Sequence, residues 1–366
     1  MGKTKTTAKK LPVYTDERGR EYFFDNAKFL LILLVVLAHA IAPMKSDHDS
    51  AKAIWTLINS FHMSCFIFMS GFFAKSYIKK DGEVKLQRLF TYIMYYLFAQ
   101  AGVMIFKFFI LGDKDVGLTV LVPLPALWYL MCMVMWYTVL PYAAKLKPVV
   151  VLAGAVLLGL LVGYDTKAGG MLSVCRAVTH FPFFMLGYYF KKEWIFKYRN
   201  KWTQIISVLV IVAYFAIAYF FYDHIATRML ECSYNYYNAK LKHFTAFPVM
   251  WVNRFIFYVN AVILCAAFLM LVPRIKTFFT GFGARTLQVY IIHRLIYFCE
   301  TEYNWFKLPF FDKYGIPKMM IIAVALTFIL SLKPFEIPFK LIAKIKIDPL
   351  LKSASDVHKK DKKKSV

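Results

Sequence analysis

Asp25-Asn26-Ala27-Lys28-Phe29-Leu30-Leu31-Ile32-Leu33-Leu34-Val35-Val36-Leu37-Ala38-His39-Ala40-Ile41-Ala42-Pro43-Met44 decides the fold class. The apolar run over 27–44 is interrupted only by Lys28 at one end and His39 near the other. As a helix rising about 1.5 Å per residue it reaches roughly 27 Å, close to the thickness of a bilayer's hydrocarbon core. Basic residues precede the run, and Ala38-His39-Ala40 imitates a signal-peptide cleavage site. The polar lead over 1–26 is too long for an ordinary signal n-region, so the run reads as a retained first span. Lys28 and His39 lie eleven residues apart, three helical turns plus about 20°. They therefore share one face, about 16 Å apart along the axis. Asp25, three residues before Lys28, is placed to hold the lysine in an i,i+3 ion pair.

Working outward, the same texture fills the chain. It is 60% hydrophobic and 18% charged, against about 45–50% and about 25% in soluble domains. Apolar runs near 27–44, 54–74, 89–111, 123–142, 148–164, 170–190, 203–222, 249–271, 282–300 and 315–332 predict an all-α polytopic membrane protein with about ten transmembrane helices in one bundle. The domain reading is a tail over 1–26, a transmembrane domain over 27–332, and an interfacial then Lys-rich tail over 333–366. No stretch is left for a large soluble catalytic module. The formal charge of +25 lies in clusters beside apolar runs, as in loops facing anionic lipid, so membrane lipid and not nucleic acid is the expected partner. Summed over alternate connectors, Lys and Arg number 31 on one side and 10 on the other, which puts both termini in the cytoplasm of a plasma-membrane protein. Of the six cysteines, only Cys232 falls in an expected external loop. That distribution suggests no disulfide framework, and no spacing suggests a metal site.

Ionisable groups at membrane depth are costly unless they face protein or a wet cavity, so each is a functional candidate. His39, His62, His180 and His293 fall within the expected spans, with Lys28, Lys107, Arg176, Arg254 and Arg294. All but Lys28, Lys107 and Arg294 are expected between the midplane and the outer third. A lone membrane histidine commonly just bonds a neighbouring helix. Several at one depth, with arginines, suit chemistry: an imidazole that titrates near neutrality moves protons, and guanidinium holds anions.

The residues also resemble a known family. Asp25, Lys28 and His39 resemble the D-x-x-[K/R]-x10-H signature of membrane acyltransferase family 3, in its fucose 4-O-acetylase-like branch. Phe61-His62-Met63-Ser64-Cys65-Phe66-Ile67-Phe68-Met69-Ser70-Gly71-Phe72-Phe73 is similar to the family's FHMPLFFFxSGFF segment. Leu127-Trp128-Tyr129-Leu130 resembles its LWYL, Arg176 with Phe181 to Tyr188 its PFFxxGY block, and Gly283 to His293 its terminal YLLH helix. The chain departs from that pattern at Lys28, where many members carry Arg, at Ser64, where Pro is usual, and at Tyr92 beyond Lys85 and Arg88, where a second Arg is common.

The resemblance implies an O-acyltransferase, most often an O-acetyltransferase, that uses cytoplasmic acyl-CoA, here acetyl-CoA, and modifies sugar hydroxyls of a cell-surface, exported or lipid-linked glycan. It makes His39 the leading catalytic residue. The chemistry fits independently: O-acylation needs a base for the hydroxyl proton and a donor for the oxyanion. His39 is read as base, His62 as its partner or second proton carrier, and Arg176 as oxyanion or acceptor group. Arg254, His293, His180 and Trp128 are read as lining the acceptor site. Lys28, Lys85 and Arg88 are read as meeting the CoA phosphates. A secondary transporter or flippase of a glycan-linked or anionic substrate, with a histidine proton relay, is the competing class.

Overall fold

The structure is a computed structural model that describes residues 14–17, 19–114, 117, 119–304 and 315–350. The Lys-rich end over 351–366 and most of the N-terminal tail lie outside the described residues. Helix α1 (Tyr22–Ile41) is buried around its whole circumference, from Phe23 and Phe24 through Ile32, Val35 and Val36 to Ile41. A helix apolar on every side belongs at the centre of a bundle, and α1 packs against α2 (Asp49–Asn59), α3 (His62–Ala74), α12 (Thr286–Tyr303) and α13 (Gly315–Leu330). Helix α4 (Leu86–Ile110) lies against α5 (Trp128–Ala143), α6 (Pro148–Leu161) against α7 (Val174–Tyr189), and α9 (Lys201–Phe220) against α2 and α11 (Trp251–Leu271). Short helices α8 (Lys192–Tyr198), α10 (Thr227–Leu230) and α14 (Ile337–Ala343) complete the order.

The expectation of ten transmembrane helices is corrected. Among the described residues, five segments are long and apolar enough to cross a bilayer: Tyr22–Ser46, Asp49–Tyr77, Leu86–Ile110, Lys201–Phe220 and Trp251–Leu271. The pair Gly315–Leu330 and Lys333–Ala343, bent by 65°, makes a sixth if taken as one span. The rest of the expected runs fail for local reasons. The run over 123–142 starts late because Pro123 and Pro125 flank the turn and Ala126 takes φ 75°. The run over 170–190 starts late because Leu172 and Ser173 take φ 54° and 52°. A non-glycine residue at positive φ does not continue a right-handed helix. Helices α5 and α7 are left with 16 residues each, about 24 Å, short of the roughly 30 Å core. Helix α6 is apolar but has only 14 residues, and α12 carries Gln288, His293, Arg294 and Glu300, too polar to meet lipid.

These shorter helices are wedged among the long ones. The tightest crossing is α3 on α7, where a Cβ on Gly71 would lie 1.9 Å from the Phe184 carbonyl oxygen and one on Gly187 1.9 Å from that of Phe68. Only glycine permits the two backbones to come this close. Helix α9, by contrast, turns Ile205, Ile206, Leu209 and Val212 outward, as a lipid-facing helix does.

The loops sort to two ends. At one, Asn26 Nδ2 donates to the carbonyls of Pro273 and Ile275, each at 2.9 Å, and Lys192 pairs with Glu21 at 2.6 Å. At the same end Lys75 donates to the Phe190 carbonyl, Arg199 donates to that of Val272, and Gln87 Nε2 donates to Ile345 at 2.8 Å. This end collects the basic loops around 75–88, 191–201 and 272–285. At the other end the loop over 221–250 is tied down by Arg254, discussed below. The expected interfacial segment after Lys333 forms a 3-10 turn (Lys333–Glu336) and α14, which lies along α4 with Tyr95 OH donating to Phe339 O at 3.3 Å.

Candidate active site

His39 lies in the last turn of α1 and is half-buried. It faces a cavity of about 420 Å³ lined also by Lys45, Trp55, His62, Trp128, Arg176, His180, Glu231, Tyr290 and Arg294. His62, the first residue of α3, is buried, and its Nδ1 lies 2.7 Å from the Ile58 carbonyl. A carbonyl only accepts, so Nδ1 carries the proton and Nε2 holds the lone pair. His180 on α7 stacks on Trp128 with centroids 5.6 Å apart, and the Arg176 guanidinium lies 5.0 Å from the centre of the same indole. Arg176 Nε donates to the Glu231 carbonyl at 3.0 Å. The cavity is thus assembled from α1, α2, α3, α5, α7 and α12 and from the outer loops.

Arg294 is the residue that sequence reasoning left without a role. Its Nη1 lies 3.3 Å from His39 Nδ1. Guanidinium only donates, so Nδ1 accepts and the resting imidazole is neutral with its proton on Nε2. Lys45, Trp55 and Glu231 also reach the cavity without having been singled out. The available signal for Arg294 was its place beside His293 on a polar helix. Which of two consecutive residues would face α1 was not readable, because neighbours on a helix point about 100° apart.

Two expected site residues are elsewhere. Arg254 is fully buried on α11 and does not line the cavity. Its Nη1 donates to Thr179 Oγ1 at 3.0 Å and Gly159 O at 3.3 Å, its Nη2 donates to Tyr234 O at 3.2 Å, and it lies over the Tyr236 ring at 5.1 Å. It clamps the outer loop to α6 and α7. His293 is also fully buried. Its Nδ1–H donates to Val289 O at 2.7 Å, and its ring lies behind His39 at 5.3 Å between centroids. Cys232, expected as an exposed external thiol, is buried, with burial pushing it up to about 12. A thiol so rarely ionised resists labelling. Tyr236 is likewise held inside, donating from its OH to Leu160 O at 2.6 Å.

The cavity does not end at the histidines. Val35, Met63 and Tyr290 also line a second cavity of about 190 Å³, walled by Lys28, Ser70, Phe73, Tyr92, Tyr129 and Tyr137. Phe73, Tyr92, Tyr95 and Tyr137 in turn line a third, about 550 Å³, with Lys85, Gln87 and Arg88 at the basic end. Lys28 pairs with Asp25 at 3.0 Å, as its spacing predicts, while facing the middle cavity. Lys28, Val35 and His39 lie on one stripe of α1, which runs alongside the first two cavities. In the middle, Ser70 Oγ donates to Phe66 O at 2.8 Å, so in its 2.7 Å contact with Tyr129 the phenol is the donor. Arg88 Nη1 donates to Ser76 Oγ at 3.0 Å.

The model of the acyltransferase domain of membrane acyltransferase family 3 matches residues 21–332. The chain belongs to this family. The comparison with curated proteins returned no match, and the comparison with solved structures returned none. Membership makes the chain a membrane-embedded acyltransferase of family 3, a family that draws on acyl-CoA donors. In this family 3 chain the matched region includes α1 with Lys28 and His39, the α3–α7 crossing and all of α12. Among the described residues no group of His, Cys, Asp and Glu has the arrangement of a metal site.

Proposed function

We propose that the protein is an O-acetyltransferase that takes the acetyl group from cytoplasmic acetyl-CoA and places it on a sugar hydroxyl of a cell-surface, exported or lipid-linked glycan. The observation that carries this reading is the chain of cavities sharing lining residues from Lys85 and Arg88 to His39. A CoA nucleotide fits the wide basic mouth, where ammonium and guanidinium suit phosphate. The narrow aromatic cavity suits the uncharged pantetheine arm, with Lys28 beside it. The thioester would then emerge at His39, and the acceptor would enter from the opposite end. The basic end is cytoplasmic in this proposal by the positive-inside rule, at the plasma membrane.

In the reaction the acceptor hydroxyl attacks the thioester carbonyl carbon, its proton passes to His39, and negative charge develops on the carbonyl oxygen. Arg294, which contacts His39 directly, is assigned as the donor to that charge. In the resting site it caps His39 Nδ1, and a thioester oxygen drawing the guanidinium toward itself frees Nδ1 to accept the proton. Collapse of the tetrahedral intermediate breaks the C–S bond, and the imidazolium returns its proton to the CoA thiolate. His62, whose Nδ1–H is committed to Ile58 O, offers Nε2 as the second proton carrier.

Calorimetry with acetyl-CoA on the purified protein tests both halves. Wild type and His39→Ala should bind alike, while His39→Ala should release no CoA in the presence of acceptor. Lys85→Ala/Arg88→Ala should bind about tenfold more weakly for each charge-assisted phosphate contact removed. Absence of binding heat in wild type would point to a transporter instead, and full turnover by His39→Ala would remove His39 as base.

A further inference from the structure

The chamber around His39 holds more positive charge than the transfer step uses. Lys45, Arg176 and Arg294 line it against a single carboxylate, Glu231. Among the described residues none of the three cations forms an ion pair. Arg294 is engaged with His39. The other two have open heads among the described residues: apart from Nε, which bonds the Glu231 carbonyl, the Arg176 guanidinium makes no hydrogen bond to them, and Lys45 Nζ makes none. Both are held by aromatic rings instead, Arg176 over Trp128 at 5.0 Å and Lys45 over Trp55 at 4.0 Å.

Half-buried cations on a cavity wall with no counter-ion leave charge that a ligand can neutralise. A guanidinium whose two Nη groups are free matches a carboxylate or phosphate in bidentate fashion. The donor's own phosphates are assigned to the other end of the route, so they do not account for this pair. Trp55 and Trp128 set where these charges stand, each carrying its cation on a ring face, with His180 also stacked on Trp128. The size of the chamber and its charge together describe an anionic sugar unit.

We propose that the acceptor is an anionic glycan unit, carrying a carboxylate or a phosphate near the acylated hydroxyl, and that Arg176 and Lys45 hold that anion. This rests on the proposed acyltransferase function. It adds the substrate class.

The test uses the full-length protein in nanodiscs and three small probes: methyl glucoside, methyl glucuronide and glucose 1-phosphate. Calorimetry at low salt should give at least tenfold tighter binding of one or both charged probes than of the neutral one. Which charged probe wins separates carboxylate from phosphate. That preference should fall about tenfold in Arg176→Gln and again in Lys45→Gln, with Arg176→Lys retaining part of it. Equal binding of all three probes, or a preference that survives the double substitution Arg176→Gln/Lys45→Gln, overturns the proposal. CoA release from acetyl-CoA, followed in parallel, keeps the two readings apart. Charge-selective binding without CoA release leaves the anion site and removes the proposed acetyl-CoA-dependent transfer, whereas CoA release without charge selectivity does the reverse.

Discussion

Arg294 and His39 show what a single proton donor decides. With Arg294 donating to Nδ1 at 3.3 Å, His39 is held neutral, and in the proposed mechanism the guanidinium is the donor for the oxyanion. Losing an oxyanion donor typically costs about 10²–10³ in kcat. Arg294→Gln should therefore lower kcat by that order with the KM for acetyl-CoA little changed, and Arg294→Lys should recover part of it by restoring the charge. Steady-state CoA release checks this, and a change confined to KM would make Arg294 a binding group instead. The same scale separates Arg176 from Arg254: both were equally eligible in the sequence, yet one lies over Trp128 at the cavity wall and the other is enclosed by Thr179, Gly159 and Tyr234.

The element that governs the site's geometry is the α3–α7 crossing. His62 opens α3 and His180 lies on α7, so their spacing across the cavity is set by how closely these helices approach. Gly71 and Gly187 allow backbone contact there. Gly187→Ala places a methyl against the Phe68 carbonyl, a rigid partner. The overpacking should destabilise the fold by about 1–3 kcal/mol and spread His62 from His180. Thermal unfolding in detergent should shift downward while acceptor KM rises. A variant with wild-type melting and kinetics would show that the helices have room to separate. Helix α12 teaches a related lesson. Gln288, His293, Arg294 and Glu300 exclude it from lipid, and that polarity is why it can supply a wall of the active chamber.

At the scale of the whole molecule, the basic loops gather at one end and the His39 chamber lies toward the other, with cavities between them that share Val35, Met63 and Tyr290 and then Phe73, Tyr92, Tyr95 and Tyr137. This polarity gives a topological prediction. In intact cells a membrane-impermeant maleimide should label a cysteine placed at the exposed Lys242 and spare one placed at the exposed Lys80. The reverse pattern would invert the proposed orientation and, with it, the direction from donor to acceptor.

The sequence by itself determined that the chain is helical and membrane-embedded, that α1 is an apolar helix with Lys28 and His39 on one face, and that Asp25 is spaced to pair with Lys28. Each of these depends on composition or on spacing within one helix, where geometry is fixed by the helical repeat. Five of the apolar runs also coincide with the long helices. Only the tertiary structure decided how many of the others cross, because an apolar helix buried against protein and one facing lipid have the same composition, and because the positive φ angles at Ala126, Leu172 and Ser173 leave no mark in a hydropathy pattern. It alone brought Arg294 to His39 across 255 residues, withdrew Arg254 and Cys232 into packing, and set three cavities side by side with shared lining residues. Those outcomes follow from which face each helix turns to its neighbours, and that is set by the packing of all of them together.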